Sequence, residues 1–142
     1  MSGMTLVVAL SLAACSGPVS VEPPDPPTHS GSCADFMAGL PDELVRQTSR
    51  DTDPESALTA AWGDPAITVR CGVPPPDTLD ATSQLITANR VDWFPEELTE
   101  GYLFTTYGRV TVVEVTVPDD YTPEIGPATE LSALVDETIP LR

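Results

Sequence analysis

The stretch that decides the fold is AWGDPAITVRCG, residues 61–72. Ile67, Val69 and Cys71 alternate with smaller or polar residues, which is the period of a strand with one apolar face. Gly63 and the Asp-Pro pair that follows it favour a turn just before the strand. We therefore interpret the stretch as a turn that leads into a core strand, and this strand carries a cysteine on its apolar face.

A helix is predicted upstream of this strand, with Ser32 as its N-cap and Pro41 just beyond its end. Its apolar side chains recur at i, i+3, i+4 and i+7, so they form one stripe. The stripe consists of Cys33, Phe36, Met37 and Leu40.

A second helix is predicted between the first helix and the strand. Asp53 is a good N-cap, and Pro54 occupies the first helical position, where proline is favoured. Leu58, Ala61 and Trp62 would then share one helical face.

Two β-hairpins are predicted after the strand. The first spans residues 85–94, with a tight turn at Asn89-Arg90, because Asn tolerates the positive φ that such a turn requires. Its register pairs Ile86 with Trp93.

The second hairpin spans residues 102–117, with Gly108-Arg109 as its two-residue turn. This register pairs aromatic with β-branched side chains on one face of the sheet. The predicted pairs are Phe104 with Val113 and Tyr102 with Val115.

A C-terminal helix is predicted from Pro127 onwards, with an apolar stripe of Leu131, Leu134, Val135 and Ile139. The elements together predict an α+β fold. We expect an antiparallel sheet of about five strands with two to three helices packed on one face.

The first 15 residues, MSGMTLVVALSLAAC, have the pattern of a lipoprotein signal peptide, although no Lys or Arg precedes the apolar run. The run is too short to span a membrane. Its end, Leu12-Ala13-Ala14-Cys15, matches the bacterial lipobox, in which the cysteine thiol receives a diacylglyceryl group. We expect Cys15 to become the lipidated first residue of a protein on the extracytoplasmic face of the cell membrane.

Residues 16–32, SGPVSVEPPDPPTHSGS, predict a disordered tether. They contain five prolines and almost no large apolar side chain, so they cannot bury enough surface to fold. His29, the only histidine of the chain, is expected to be solvated there. Residues 33–142 are then long enough for a single globular domain.

The three cysteines are Cys15, Cys33 and Cys71. With Cys15 assigned to the lipid, the other two form an even pair in an exported chain, where disulfides persist. Packing of the first helix on the core strand would bring their sulfurs together. Such a bond would close a loop of 38 residues and would stabilise the domain by roughly 3–4 kcal/mol.

The charge balance argues against some partners. The chain has 22 acidic residues and six arginines, no lysine, and a net charge of −16. Nucleic acids and anionic lipids both bind basic patches, so neither is an expected ligand. We interpret the acidity as the solvated surface of a secreted protein.

Several stretches together resemble a known family. They are the lipobox, the cysteine of the first helix, AWGDPAITVRCG, VDWFPE, YLFTTYGRVTVVEVTVP and the C-terminal amphipathic helix. The combination is similar to the actinobacterial lipoproteins of the family called domain of unknown function 3515, over the whole mature domain. The resemblance implies an envelope location and implies no activity, because the family has none established.

Chemical motifs are scarce. The predicted domain has no histidine and no lysine, which excludes a Ser-His-Asp triad, a Cys-His pair and a Schiff base. Residues 51–55, DTDPE, space carboxylates like a calcium loop but lack its glycine and closing glutamate. We expect no catalytic residue, no cofactor and no metal site.

The best candidates for a ligand site are Trp62, Asp64 and Arg70, because an aromatic face, a carboxylate and a guanidinium near a strand end can hold a polar ligand. The alternative is that Trp62 fills the core and Arg70 pairs with a nearby acid.

We expect a non-enzymatic lipoprotein of the cell envelope that binds an envelope protein or a small ligand. The alternative is a small hydrolase that acts on a cell-wall saccharide with a pair of carboxylates. That alternative requires two acids in one concave pocket, with a strongly shifted pKa on at least one of them.

Overall fold

The computed structural model describes residues 17–142, which form an eight-stranded sheet, a separate two-stranded ladder and two helices. The neighbouring strands of the main sheet are antiparallel, in the order β2-β3-β5-β6-β10-β9-β8-β7. The strands are β1 Val19–Ser20, β2 Glu43–Leu44, β3 Gln47–Arg50, β4 Thr52–Asp53, β5 Thr59–Trp62, β6 Ile67–Cys71, β7 Ile86–Ala88, β8 Val91–Leu98, β9 Gly101–Tyr107 and β10 Val113–Pro118. The helices are α1 Cys33–Ala38 and α2 Gly126–Thr138.

The hydrophobic core lies between one face of the sheet and the two helices. Alternate residues of β6 and β10 face it, since both strands show strict alternation of buried and half-buried side chains. The helices contribute Cys33, Phe36, Ala128, Leu131 and Val135. The α+β class is thus confirmed, whereas the sheet has eight strands instead of about five.

The opposite face of the sheet is also covered by the polypeptide, although neither of the two α-helices packs on it. Thr59, Ala61 and Thr105 point to this face and are almost fully buried. The connection from β6 to β7, residues 72–85, must cross the sheet, because the two strands lie four places apart in it. In that connection Thr78 donates a hydrogen bond to Glu96 on the covered face.

The predicted second helix, from Asp53 to Trp62, is wrong. Thr59–Trp62 is instead strand β5, which pairs with β6 on one side and β3 on the other. Trp62 faces the core and Ala61 faces the covered side. Both faces of β5 are buried, so its apolar residues do not alternate with polar ones, and the local cap signals at Asp53 and Pro54 were misleading.

The first predicted hairpin is confirmed. Ile86 pairs with Trp93, and the turn residues Asn89 and Arg90 have φ angles of 45° and 67°. Positive φ at both central residues is the geometry that favours the native twist of a two-residue hairpin.

The register of the second hairpin was predicted wrongly by two residues. Phe104 pairs with Val115 and Tyr102 with Val117. The connection occupies residues 108–112 instead of two residues, because Arg109 turns inward and is 3% exposed. A shift of two residues leaves every side chain on its predicted face, so the core is unaffected.

The predicted C-terminal helix is present as α2. Its buried residues include Leu131 and Val135, and Ile139 just beyond its end is also buried. No helix among residues 17–142 is long and apolar enough to cross a membrane. Cys15 and the rest of the predicted signal peptide lie outside the described residues.

The prediction of a disordered tether is wrong for the part of it that the structure describes. Residues 17–29, here called the strap, are bound to the domain. Val19 and Val21 donate backbone hydrogen bonds to Asp51 and Asp53, and β1 pairs in parallel with β4. Val21 is 5% exposed. His29, in contrast, is exposed as expected.

Backbone hydrogen bonds hold the strap together with its two buried side chains, Val21 and Pro24, which explains why its composition misled the prediction. The side chains of Arg50 and Arg70 donate to the carbonyl oxygens of Gly17 and Glu22. A prediction of disorder that rests on the number of large apolar side chains does not take such hydrogen bonds to backbone carbonyls into account. Proline-rich chain is also restricted before it binds, so ordering it costs less conformational entropy.

The predicted disulfide is present between Cys33, the first residue of α1, and Cys71, the last residue of β6. Their Cα atoms are 5.8 Å apart, and both residues are almost fully buried. The bond joins the end of the strap and helix α1 to a central strand of the sheet.

Removal of this disulfide should destabilise the domain strongly. We expect Cys71→Ser to lower the free energy of unfolding by roughly 3–4 kcal/mol, because the unfolded chain loses a 38-residue loop constraint. Chemical denaturation with and without a reductant measures the effect. The control is the Cys33→Ala/Cys71→Ala variant, whose stability should not respond to the reductant. Rapid alkylation of both thiols in the folded, unreduced protein would show that the bond does not form.

Candidate functional site

The three predicted ligand residues do not come together. Trp62 lies on the core face of the sheet beside Ile67, whereas Arg70 lies on the covered face at the other end of β6. Asp64 is in the turn between β5 and β6, with its side chain 77% exposed. The structure therefore does not assemble the predicted site.

Trp62 is a core residue. It is 1% exposed, and its indole Nε1 donates a hydrogen bond of 2.9 Å to the carbonyl oxygen of Pro41. A buried tryptophan needs such a partner for its N–H group. The bond fixes the chain just after α1 against β5.

Arg70 binds acceptors of the protein itself. Its Nε donates to the Glu22 carbonyl oxygen at 2.8 Å, and its Nη1 donates to the Glu114 carboxylate at 3.0 Å. The alternative reading of Arg70, an ion pair with a nearby acid, matches this geometry. The hydrogen bond to Glu22 is part of the attachment of the strap.

A groove of about 970 Å³ lies beside helix α1, at the edge where β3, β4 and β5 meet. We call it the α1 groove. Its apolar lining residues include Met37, Leu40 and Pro41. Its charged lining residues are Asp42, Arg50, Asp51 and Glu55, and the strap contributes Pro18.

The α1 groove is acidic. Asp42, Asp51 and Glu55 are exposed. The terminal nitrogens of Arg50 already donate to the carbonyl oxygens of Gly63 and Gly17, at 2.6 Å and 2.7 Å. Three carboxylates are therefore available to a ligand, while the one guanidinium is engaged in holding the protein together.

The acids of the groove are not grouped for metal binding. Among residues 17–142, no three His, Cys, Asp or Glu side chains are close enough together to hold a metal ion.

The sequence analysis did not identify Arg109 as a buried residue. It lies in the β9–β10 connection and joins this connection to the end of α2 and to the turn between β7 and β8. Its Nη1 donates to the Ile139 carbonyl oxygen, just after α2, at 2.9 Å, and its Nη2 donates to Asp136 and to the Arg90 carbonyl oxygen at 2.9 Å. A cation at a helix C-terminus is favourable. The TTYGR motif pointed to a turn and gave no sign that its arginine would be buried.

Two carboxyl groups have clearly shifted pKa values, and both shifts are downward. The hydrogen bond from Arg109 lowers the pKa of Asp136, and the charge of Arg90 acts in the same direction. The pKa of Asp80 is lowered by hydrogen bonds from Thr82. Neither carboxyl lines the α1 groove.

The comparison with protein-family models places the chain in a family. Residues 2–142 match the model described as protein of unknown function (DUF3515). The chain belongs to this family, which confirms the family named from the sequence. Neither the curated proteins nor the solved structures gave a match.

Proposed function

We propose that this protein is a lipid-anchored binding module on the extracytoplasmic face of the cell membrane, attached through Cys15. The support is the lipobox Leu12-Ala13-Ala14-Cys15 at the end of a short apolar run. The disulfide Cys33–Cys71 agrees with this location, because disulfides persist in oxidising compartments.

The α1 groove is the proposed binding site, and its ligand is a positively charged segment of an envelope protein. The observation that carries this proposal is the set of three exposed carboxylates, Asp42, Asp51 and Glu55, along one groove. The volume of about 970 Å³ lies within the usual range for ligand sites. A net charge of −16 attracts a cationic partner from a distance.

The carboxylate hydrolase gains no support from the described residues. A catalytic acid of that class needs a raised pKa, so that it is protonated when the leaving group departs. The shifted carboxyls, Asp80 and Asp136, have lowered pKa values and lie outside the groove. Binding without chemistry is therefore the proposal.

The lipid anchor is tested by Cys15→Ala. In an expression host that lipidates exported proteins, the unsubstituted chain should partition into the detergent phase and carry a diacylglyceryl mass on its first residue. The variant should leave the membrane fraction, because no acyl chains remain to hold it. Recovery of the unsubstituted protein as a soluble, unacylated form would contradict the proposed anchor.

The groove is tested with a short lysine-rich peptide as probe. Exposed ion pairs contribute about 0.2–1 kcal/mol each, so Asp51→Asn combined with Glu55→Gln should weaken binding about 2- to 30-fold. The measurement is an NMR titration, in which the largest chemical-shift changes should fall on residues that line the groove.

Two controls separate the groove from general acidity. Glu137→Gln removes an exposed acid of α2, outside the groove, and should leave the affinity nearly unchanged. The same peptide with acetylated lysines should not bind. Equal affinity of both peptides, or the same loss with Glu137→Gln as with the groove variant, would contradict the proposed site.

A further inference from the structure

The strap begins at one end of the main sheet. The guanidinium of Arg50 donates to Gly63 O from one terminal nitrogen and to Gly17 O from the other. Both carbonyls therefore lie at a single guanidinium. Gly17 is fixed beside the turn that follows β5.

The strap ends at the opposite end of the same sheet. Thr28 donates a backbone hydrogen bond of 2.7 Å to Gly72, and the Thr111 hydroxyl donates to His29 O. Gly72 follows the last residue of β6, whereas Gly63 lies before its first residue. The strap therefore runs along the full length of β6.

The chain between the lipobox cysteine and this fixed point is very short. Gly17 is the second residue after Cys15, and two residues of extended chain reach at most about 7 Å. We propose that the lipid on Cys15 holds the Gly63 end of the sheet against the bilayer surface, so that the lipid surface always faces this end of the domain. This inference rests on the proposed lipid anchor.

The other end of the sheet is then directed away from the bilayer. It carries the β9–β10 connection and the C-terminus, which meet at the bridge between Arg109 and Leu141. Strand β9 runs between the two ends with seven residues, which corresponds to about 20 Å. Asp64 and Leu141 mark the two ends and are both well exposed, so each can carry a probe.

The position of the α1 groove follows from the same constraint. Pro18 lines the groove and is the third residue after Cys15, so the chain between them reaches at most about 11 Å. The groove therefore opens near the headgroups. A partner that binds the groove must therefore bring its cationic segment close to the bilayer surface.

The test uses the chain from Cys15 to Arg142, coupled through Cys15 to a maleimide-bearing lipid in phosphatidylcholine vesicles. Chemical coupling supplies the anchor whether or not a cell adds one. A fluorophore is attached through an azide-bearing residue at position 64 or at position 141, and nitroxide-labelled headgroups act as quenchers. We expect several-fold stronger quenching at position 64 than at position 141.

Two variants test whether the strap causes the difference. A flexible Gly-Ser linker inserted between Ser16 and Gly17 should remove it, because the domain can then leave the surface. Arg50→Ala should reduce the quenching at position 64. Arg46→Ala, an exposed arginine that forms no ion pair with any described residue, should leave it unchanged.

Equal quenching at the two positions without the linker would overturn this inference. Such a result would not touch the lipid anchor, which is tested separately by acylation in cells. Conversely, absence of acylation in cells would overturn the anchor and leave the vesicle measurement valid as a statement about the geometry of the strap.

Discussion

The Cys33–Cys71 disulfide is the constraint on which the rest of the structure depends. It joins the first residue of α1 to the last residue of β6, at the point where the strap also ends. From this point the strap covers one face of the sheet, and α1 packs on the other. Hydrophobic contacts and hydrogen bonds hold each layer on the sheet, and the disulfide adds a covalent link at the point where the two layers meet. One covalent bond therefore fixes the order in which the layers are stacked.

The elements that could be predicted from the sequence are those with one buried face and one more accessible face. Strand β6 alternates between buried apolar residues and half-buried polar ones, and helix α2 has one buried face, so their periods are visible in the residue pattern. Strand β5 was mistaken for a helix because both of its faces are buried, which removes the alternation of apolar and polar residues. The strap itself was missed because backbone groups and two arginine side chains hold it. Such contacts depend on residues far away in the chain and leave no local pattern.

The candidate site could not be predicted for a related reason. Trp62, Asp64 and Arg70 are close in sequence, but the alternation of strands and the intervening turn send them to different faces. The α1 groove draws its acids from separate segments, with Asp42 after α1 and Asp51 and Glu55 around β4. Trp62 and Arg70, from residues 61–72, hold the core and the strap in place. The exposed carboxylates of the α1 groove remain available to a partner.

Amide hydrogen exchange shows whether the strap is part of the folded domain. The amides of Val19, Val21 and Thr28 donate hydrogen bonds to Asp51, Asp53 and Gly72. We expect these three amides to exchange far more slowly than those of an unfolded chain, and we expect this protection to be lost when the disulfide is reduced. Exchange at the rate of unstructured chain, in a domain whose β6 and β10 amides are protected, would contradict it.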